Sequence, residues 1–569
     1  MTRIAIDPIT RIEGHLRIEV EVEAGFVVDA WSSGTMFRGM ELILQGRDPR
    51  DAWIFAQRAC GVCTTVHALA SVRAVENALE LRIPRNARLV RNLIAGMQYV
   101  QDHVIHFYHL HALDWVDVVS ALEASPEGTA RLAASISDWP TSSTAHYQAV
   151  KDKLATFVAS GQLGLFNNGY WGHPEYRLPP EANLMAVGHY LEALDWQRDV
   201  IRAHAILGAK NPHPQTYVVG GMALALDQNS PTALNARGLS ELASLIARAK
   251  DFVDRVYIPD VLAIAGFYKD WAALGAGIGN YMAYGDFPDD DSGLPSAFFL
   301  PRGRIMANDL SQVLPVDQAS IAETVAHSWY EYGTDDAELK HPWVGETKPT
   351  YSGPRPPFET LEGFYKYSWL KAPRYESRPM EVGPLARMLV AYASGHQGVK
   401  DGVGAILKTL GVGPEALFST LGRIAARALE TKLLAARLGD WLAELEANLA
   451  TGDLTVADVS KWDPASWPAD AQGWGLEEAP RGALGHWVVI KDQKIANYQL
   501  VVPSTWTGSP RDGAGRRGAW EEARIGTPVA DPEQPVEILR TVHSFDPCMA
   551  CAVHVYDPKG RSSVVIRVV

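Results

Sequence analysis

Residues 58–67 read RACGVCTTVH and residues 546–554 read DPCMACAVH. Cys60 and Cys63 form one C-x-x-C pair and Cys548 and Cys551 a second, and these are the only four cysteines in 569 residues. So sparse a supply makes no disulfide framework, and C-x-x-C pairs outside that setting read as metal or redox sites. One such turn sets two sulfurs close enough to chelate a single ion; two turns make a four-thiolate site suited to a soft or borderline metal. Zinc modules usually close within tens of residues, whereas Cys63 and Cys548 stand 485 positions apart. The fold must therefore bring both ends of a long chain to one point, against a substantial loop-closure cost. On spacing alone zinc and iron–sulfur both remain open.

The bulk composition belongs to a packed protein: 47% hydrophobic, 21% charged, with 17 Trp and 20 Tyr to fill a large core. The length allows about four average domains or one large multi-lobed unit. Net charge is −14 and the pI about 5.7, so the basic footprint that phosphate neutralisation requires is missing and nucleic acid is excluded as a partner. The opening MTRIAIDPITRIEGH carries charges throughout and no apolar h-region, so no secretory signal is expected. No apolar run reaches the length of a bilayer span. The expectation is a chain that stays in the cytoplasm or crosses a membrane already folded, carried by something else.

Residues 16–31, LRIEVEVEAGFVVDAW, alternate around Gly25 as a β-hairpin does, and HWVVIKDQKIANYQLVV predicts a second hairpin turning at Asp492-Gln493. Between them the pattern is helical. Pro84 opens a segment with Leu89, Leu93, Gly96, Val100 and Val104 on one face, predicted to run, with a kink, towards Ser125-Pro126. Leu184, Val187, Leu191 and Leu194 mark another helix stopped by Gly208 and Pro212; 231–258 and 414–449 fit two more. Residues 281–372, rich in Gly, Pro and aromatics, predict irregular loops and short strands. The fold class expected is mainly α (α+β): a large helical-bundle core with small antiparallel β regions near both termini.

The surroundings of the cysteines sharpen the reading. Arg58 precedes Cys60 by two, His67 follows Cys63 by four, Asp546-Pro547 precedes Cys548, and His554 follows Cys551 by three. R-x-C-G-x-C with D-P-C-x-x-C-x-x-H resembles the large subunit of nickel–iron hydrogenases, specifically the uptake-type, membrane-associated branch. The likeness extends through DPITRIEGHLRIEVE, FRGMELILQGRDPRDA, HFYHLHALDW, APRGALGHW and VPSTW, and so over nearly the whole chain. Thr507 departs from it, since many relatives carry Asn after that last motif.

The resemblance implies that Cys60, Cys63, Cys548 and Cys551 bind nickel, with Cys63 and Cys551 bridging to an iron that carries carbon monoxide and cyanide. It implies that Cys548 takes the first proton of hydrogen cleavage and Glu13 the next, a task suited to a partly buried carboxyl. Arg481 matches an arginine above the open metal position, and Asp102 and Asp546 match carboxylates that hold it. Pro503 and Ser504 match residues lining the diatomic ligands, and His67 a hydrogen-bond donor to a bridging sulfur. Glu41, the Leu500 carbonyl and His554 match a second metal site for magnesium or another divalent ion. His103, His106, His109 and His111 do not share one helix face and read instead as hydrogen-bonding residues of the core and interfaces.

With every cysteine committed, no thiolate is left for an electron relay, and the resemblance supplies an iron–sulfur small subunit as partner in a heterodimer, together with nickel-insertion chaperones, a maturation endopeptidase and a membrane cytochrome or other electron carrier. It implies a mature chain of residues 1–554, a C-terminal extension 555–569 removed after His554, and a site on the periplasmic side of the membrane, with the cytoplasm as the alternative. The competing function is non-catalytic: a hydrogen sensor of the same fold, or a zinc-stapled interaction protein.

Overall fold

The computed structural model describes residues 2–549 apart from 162, 168 and 354–359. Both hairpins form, and each has a third strand. Leu16–Glu23 pairs with Phe26–Gly34 through a turn at Ala24 and Gly25, both at positive φ (52° and 83°), and Thr2–Ile6 pairs on the far side of Leu16–Glu23. Near the other end, Gly482–Lys491 and Lys494–Val501 turn at Asp492 and Gln493, with φ of 48° and 62°. Two successive positive φ values match the twist of the flanking strands.

Asp470–Ala479 completes this second sheet. Its sequence hides it, because Gly473 and Gly475 interrupt the alternation. Those glycines are where the helix Val66–Ala78 lies against the strand: a Cβ at Gly473 would stand 2.2 Å from the Ala74 carbonyl oxygen, and one at Gly475 2.0 Å from that of Ala70. Only a residue without a side chain permits the approach. The helix that follows Cys63 is thereby laid on the sheet that presents Arg481 at the Ala479–Gly482 turn.

The helix from Pro84 runs Arg85–Ile105, widens into a π-helical turn at His106–His111 and ends in a 3-10 turn at Ala112–Asp114. It stops short of Ser125, whose side chain instead caps a separate helix, Pro126–Ile136. A second π-turn, Val253–Tyr257, joins Ala236–Phe252 to Ile258–Phe267, so this helix passes through Ile258 rather than stopping there. Pro259 explains the widening: it offers no N–H to the Arg255 carbonyl, which accepts from the Ser137 hydroxyl instead. The longest helix, Thr420–Ala450, is capped by Ser419 and packs along Arg85–Ile105, where Gly96 lets Leu438 and Trp441 close in. Helices Thr144–Ala159, Pro384–Ala393 and Gln397–Leu410 add to those expected from the sequence.

The fold is thus mixed α and β and rich in helix, with a three-stranded antiparallel sheet near each end and four two-stranded ones between them among the described residues. No described helix is long and apolar enough to cross a membrane.

Candidate metal centre

Cys60 follows the 3-10 turn Gln57–Ala59 in extended backbone, and its sulfur accepts from the Cys63 amide at 3.1 Å. Two side chains clamp this loop from outside. Arg38 donates to the carbonyls of Ala59 and Arg58, each at 2.6 Å. Gln98, on the long helix, donates to the Val62 carbonyl at 3.1 Å and accepts from the Thr65 amide at 3.0 Å.

The other end arrives from the helix Val536–Ser544. Asp546 turns the chain at φ 58°, and the Cys548 amide donates to Ser504 Oγ at 3.0 Å. The Met549 amide donates to the Glu13 carbonyl at 2.7 Å, so Glu13 and Cys548 form a parallel bridge that fixes the N-terminal TRIEGH motif beside the C-terminal pair. Glu13 Oε2 lies 3.5 Å from the Cys548 sulfur. The two arginines nearest Glu13 in sequence have carboxylate partners elsewhere: Arg11 pairs with Asp114 and Arg17 with Glu19.

Three sulfurs meet at the junction, all buried and within 4.8 Å of one another. Cys60 and Cys548 are 3.3 Å apart and Cys63 and Cys548 3.7 Å apart, too far for a disulfide, whose sulfurs stand about 2.05 Å apart. With a metal–thiolate bond of about 2.3 Å, a sulfur–metal–sulfur angle near 90° gives a separation of roughly 3.3 Å and a tetrahedral angle roughly 3.8 Å. The observed pairs span those values, so the donors fit one ion in a site that is not uniformly tetrahedral. Cys551 and His554 lie outside the described residues, as do 555–569 and the expected cleavage position.

Arg481 lies over this cluster. Nη1 donates to the Cys63 sulfur at 3.2 Å and to Asp102 at 3.0 Å, and Nη2 pairs with Asp546 at 3.0 Å. Burial works against the charge of this guanidinium, but the two aspartates and the sulfurs hold its pKa well above the usual arginine value. Burial pushes Asp102 up to about 7 against the pull of Arg481. The trio of Arg481, Asp102 and Asp546 expected from the sequence is therefore assembled as one unit on the sulfur cluster.

Behind it runs a buried ionic chain that the sequence reading missed. Arg427 pairs with Asp546 at 3.4 Å and contacts His103 Nδ1 at 3.0 Å, and His103 Nε2 meets Glu430 at 2.8 Å. Arg387 grips both oxygens of Glu430 at 2.6 Å and also bonds Glu478 and the carbonyls of Ala479 and Pro480, the two residues before Arg481. Burial would raise the Glu430 carboxyl, yet Arg387 and His103 bring it down to about 2; Glu478, with the lesser share of Arg387, is pushed by burial up to about 7. A signal was present: Arg423, Arg427 and Glu430 recur at helical spacing within an otherwise apolar stripe, where charges stay buried only if paired.

His67 turns one ring nitrogen away from the cluster, Nδ1 meeting His486 Nε2 at 3.1 Å. Burial lowers His67 to about 4, the nearby Cys63 only partly opposing it. Pro503 and Ser504 open the short helix Pro503–Gly508, fully buried beside Cys548, and Thr507 folds its hydroxyl back onto the Pro503 carbonyl at 3.0 Å. The remaining helix histidines find core partners: His106 the His543 carbonyl, His109 that of Tyr190 and His111 that of Arg540.

Glu41 and Leu500 are neighbours, but the contact is made by the Leu500 amide, which donates to Glu41 Oε1 at 3.1 Å. The other Glu41 oxygen accepts from Thr347 and from Lys371 Nζ at 3.1 Å, and Lys371 also reaches Gln499 at 2.6 Å and Glu323 at 3.6 Å. This buried polar pocket gathers residues from five distant stretches, three of which (at Glu323, Thr347 and Lys371) no local motif announces.

Comparisons with known proteins agree with this geometry. The family model described as nickel-dependent hydrogenase matches residues 38–554, and a HoxL-like model matches residues 3–32. The chain is 52% identical to the uptake hydrogenase large subunit of Bradyrhizobium diazoefficiens and 47% identical to the hydrogenase-1 large chain of Escherichia coli, in both cases over all of this chain and 97% of the relative. Among solved structures it is similar to a NiFeSe hydrogenase variant from Desulfovibrio vulgaris Hildenborough, with a TM-score of 0.76 and 38% identity, covering 97% of this chain and 99% of that one. Three clustered thiol sulfurs under an arginine held by two aspartates, in a chain matched almost end to end, place this protein in the nickel-dependent hydrogenase family as a large, catalytic subunit acting on hydrogen.

Proposed function

We propose that this subunit oxidises hydrogen in an uptake-type enzyme, at a nickel–iron centre held by Cys60, Cys63, Cys548 and Cys551 whose iron carries carbon monoxide and cyanide. The carrying observation is the placement of Arg481, fixed by Asp102 and Asp546, against the buried sulfurs. When bound, such a centre supplies heterolytic cleavage of hydrogen. The chain's own residues then manage the charge. Cys548 Sγ takes the proton, and Glu13 Oε2, at 3.5 Å, receives it. Arg481 acts electrostatically, since so strongly held a guanidinium is a poor base. Pro503 and Ser504, buried beside Cys548, would line the diatomic ligands of the iron, and His67 would serve as a hydrogen-bond donor to a cysteine sulfur of the site.

At Glu41 and Leu500, with His554, we place magnesium or another divalent ion in a structural role; the support is a buried carboxylate already surrounded by Lys371, Thr347 and Gln499. The partner is an iron–sulfur small subunit, because the four cysteines leave none for an electron relay. Nickel-insertion chaperones load the site, an endopeptidase cuts between His554 and Val555, and a membrane cytochrome or other carrier takes the electrons on the periplasmic side. The packing of Thr420–Ala450 along Arg85–Ile105 and Ala236–Phe252 supports reading the interior as a helical bundle.

Infrared spectra of the co-purified two-subunit protein test this directly. Bands from metal-bound carbon monoxide and cyanide that shift under hydrogen are expected. A silent window, with zinc as the only metal found, would reduce the cysteines to a staple.

A further inference from the structure

The stretch HFYHLHALDW ends in Asp114 and Trp115 and has no part in the chemistry above. In the fold, Asp114 joins the two ends of the chain. Its carboxylate accepts from Arg11 Nη2 at 2.5 Å and meets His543 Nδ1 at 2.6 Å, while its backbone carbonyl accepts from Arg540 Nε at 2.8 Å. His543 Nε2 lies 2.9 Å from the Thr10 carbonyl. Asp114 and His543 are both buried.

Both ring nitrogens of His543 thus face acceptors. A carbonyl oxygen only accepts, and so does an ionised carboxylate. Burial would raise the Asp114 carboxyl, but Arg11, with His543 and His111 behind it, keeps it below the usual carboxylate range. Asp114 has no proton to give, so His543 donates from both nitrogens and is an imidazolium. It stands in the last turn of the helix Val536–Ser544, where the helix dipole favours a cation.

The segment it grips is strained. Arg11 has φ 54°, a left-handed conformation that a residue with a side chain keeps only where its surroundings hold it. Here they hold it twice: His543 takes the Thr10 carbonyl, and the Arg11 guanidinium reaches Asp114 and, at 2.9 Å, the Leu110 carbonyl. Glu13 follows two residues later, with its carboxyl 3.5 Å from the Cys548 sulfur. The Met549 amide fixes the Glu13 carbonyl, whereas the direction from which the chain enters Glu13 is set at Thr10 and Arg11.

We propose that His543 is a positioning residue for proton transfer: as a doubly donating clip between the Asp114 carboxylate and the Thr10 carbonyl, it holds the Thr10–Glu13 segment so that the Glu13 carboxyl meets the Cys548 sulfur. This rests on the reading that Glu13 receives the proton from Cys548.

Neutron diffraction from the perdeuterated two-subunit protein needs no substitution, and deuterium is expected on both His543 nitrogens; a bare Nδ1 or Nε2 overturns the proposal. Two variants then separate the halves of the clip. A glutamine amide nitrogen stands near the place of Nε2 and an asparagine amide nitrogen near that of Nδ1, so His543→Gln keeps a donor for Thr10 and His543→Asn does not. In His543→Asn, hydrogen uptake per bound nickel is expected to fall about 10–100-fold. The KM for hydrogen and the infrared bands of the metal ligands should stay unchanged, while the solvent isotope effect on turnover rises because proton transfer has become the slow step. His543→Gln is expected within a few-fold of wild type. Equal losses in the two variants, an unchanged isotope effect, or wild-type turnover in His543→Asn overturns the proposal. Glu13→Gln, measured beside them, shows what has failed. No turnover there with full turnover in His543→Asn leaves the proton route standing and removes the clip; full turnover in Glu13→Gln removes the route on which the clip depends.

Discussion

Replacing Arg387 by lysine separates two roles of one buried cation. Arg387 is fully buried and makes bonds of 2.6 to 2.9 Å to Glu430, Glu478 and the carbonyls of Ala479 and Pro480. Those are five bonds in a fixed planar fork; an ammonium has three donors, so at least two are lost. A hydrogen bond to a charged group contributes about 1.5–3 kcal/mol, and re-forming part of the set leaves a net destabilisation of about 3 kcal/mol. An unfolding entropy of about 2.1 cal/mol/K per residue gives roughly 1.2 kcal/mol/K for this chain. The Tm of the two-subunit protein should therefore fall by only about 2–3 °C. Turnover should be far more sensitive, because the two carbonyls released lie immediately before Arg481, and a displacement of about 1 Å at a reacting centre costs about 100-fold. Hydrogen uptake per bound nickel is the assay: near wild-type nickel content with activity down about 100-fold is expected. Full activity per nickel, with the same fall in Tm, would refute the reasoning and leave Asp102 and Asp546 as sufficient supports for Arg481.

Gly475→Ala places a Cβ about 2 Å from the Ala70 carbonyl oxygen, which the sheet and the Val66–Ala78 helix cannot absorb without separating; soluble protein and bound nickel should both fall sharply, and normal yields of loaded enzyme would contradict the packing described. Glu521 accepts from the Ser32 amide and the Tyr367 hydroxyl, and burial pushes its pKa up to about 7. The folded state thus holds the proton more tightly than the unfolded chain. The stabilisation is complete below pH about 4.5 and is lost as pH rises through 7, amounting to on the order of 3 kcal/mol. Glu521→Gln, which retains the acceptor oxygen, should remove about one proton's worth of that slope in denaturant titrations between pH 5 and 7, and an unaltered slope would count against it. Ser504→Ala strips the Cys548 amide of its acceptor at a cost of about 1–3 kcal/mol; faster loss of nickel to a chelator is expected, and an unchanged rate would show the Cys548 backbone to be held by Glu13 alone.

What could be read from the sequence followed from locality. The turn at Asp492-Gln493 and the hairpin around Gly25 announce themselves within a few residues, and the cysteine motifs point to the place where Cys60, Cys63 and Cys548 meet, Cys551 and His554 lying outside the described residues. Helix Gln397–Leu410 escaped because Gly398, Gly402 and Gly404 dilute its apolar stripe, although Gly402 is where Leu429 of the long helix packs. The π-turn at Val253–Tyr257 depends on Ser137, from another element, taking up the Arg255 carbonyl, which no window of sequence contains. The pocket around Glu41 was legible only in part: Glu41 and Leu500 came from the family likeness, whereas Lys371, Thr347 and Glu323 converge through tertiary packing. The ionic chain behind Arg481 lies between these cases, its helical half visible as periodic charge and its partners on other elements hidden.

The meeting of Cys63 and Cys548 across 485 positions also sets a clock. A ribosome adds about 5–20 residues per second, so the first cysteine pair emerges about 25–100 s before the second. Through that interval a nascent chain offers an incoming ion two sulfurs and no closed cavity. Discrimination among metals therefore belongs to the finished polypeptide, and anything that guards the first pair must do so while translation is still under way.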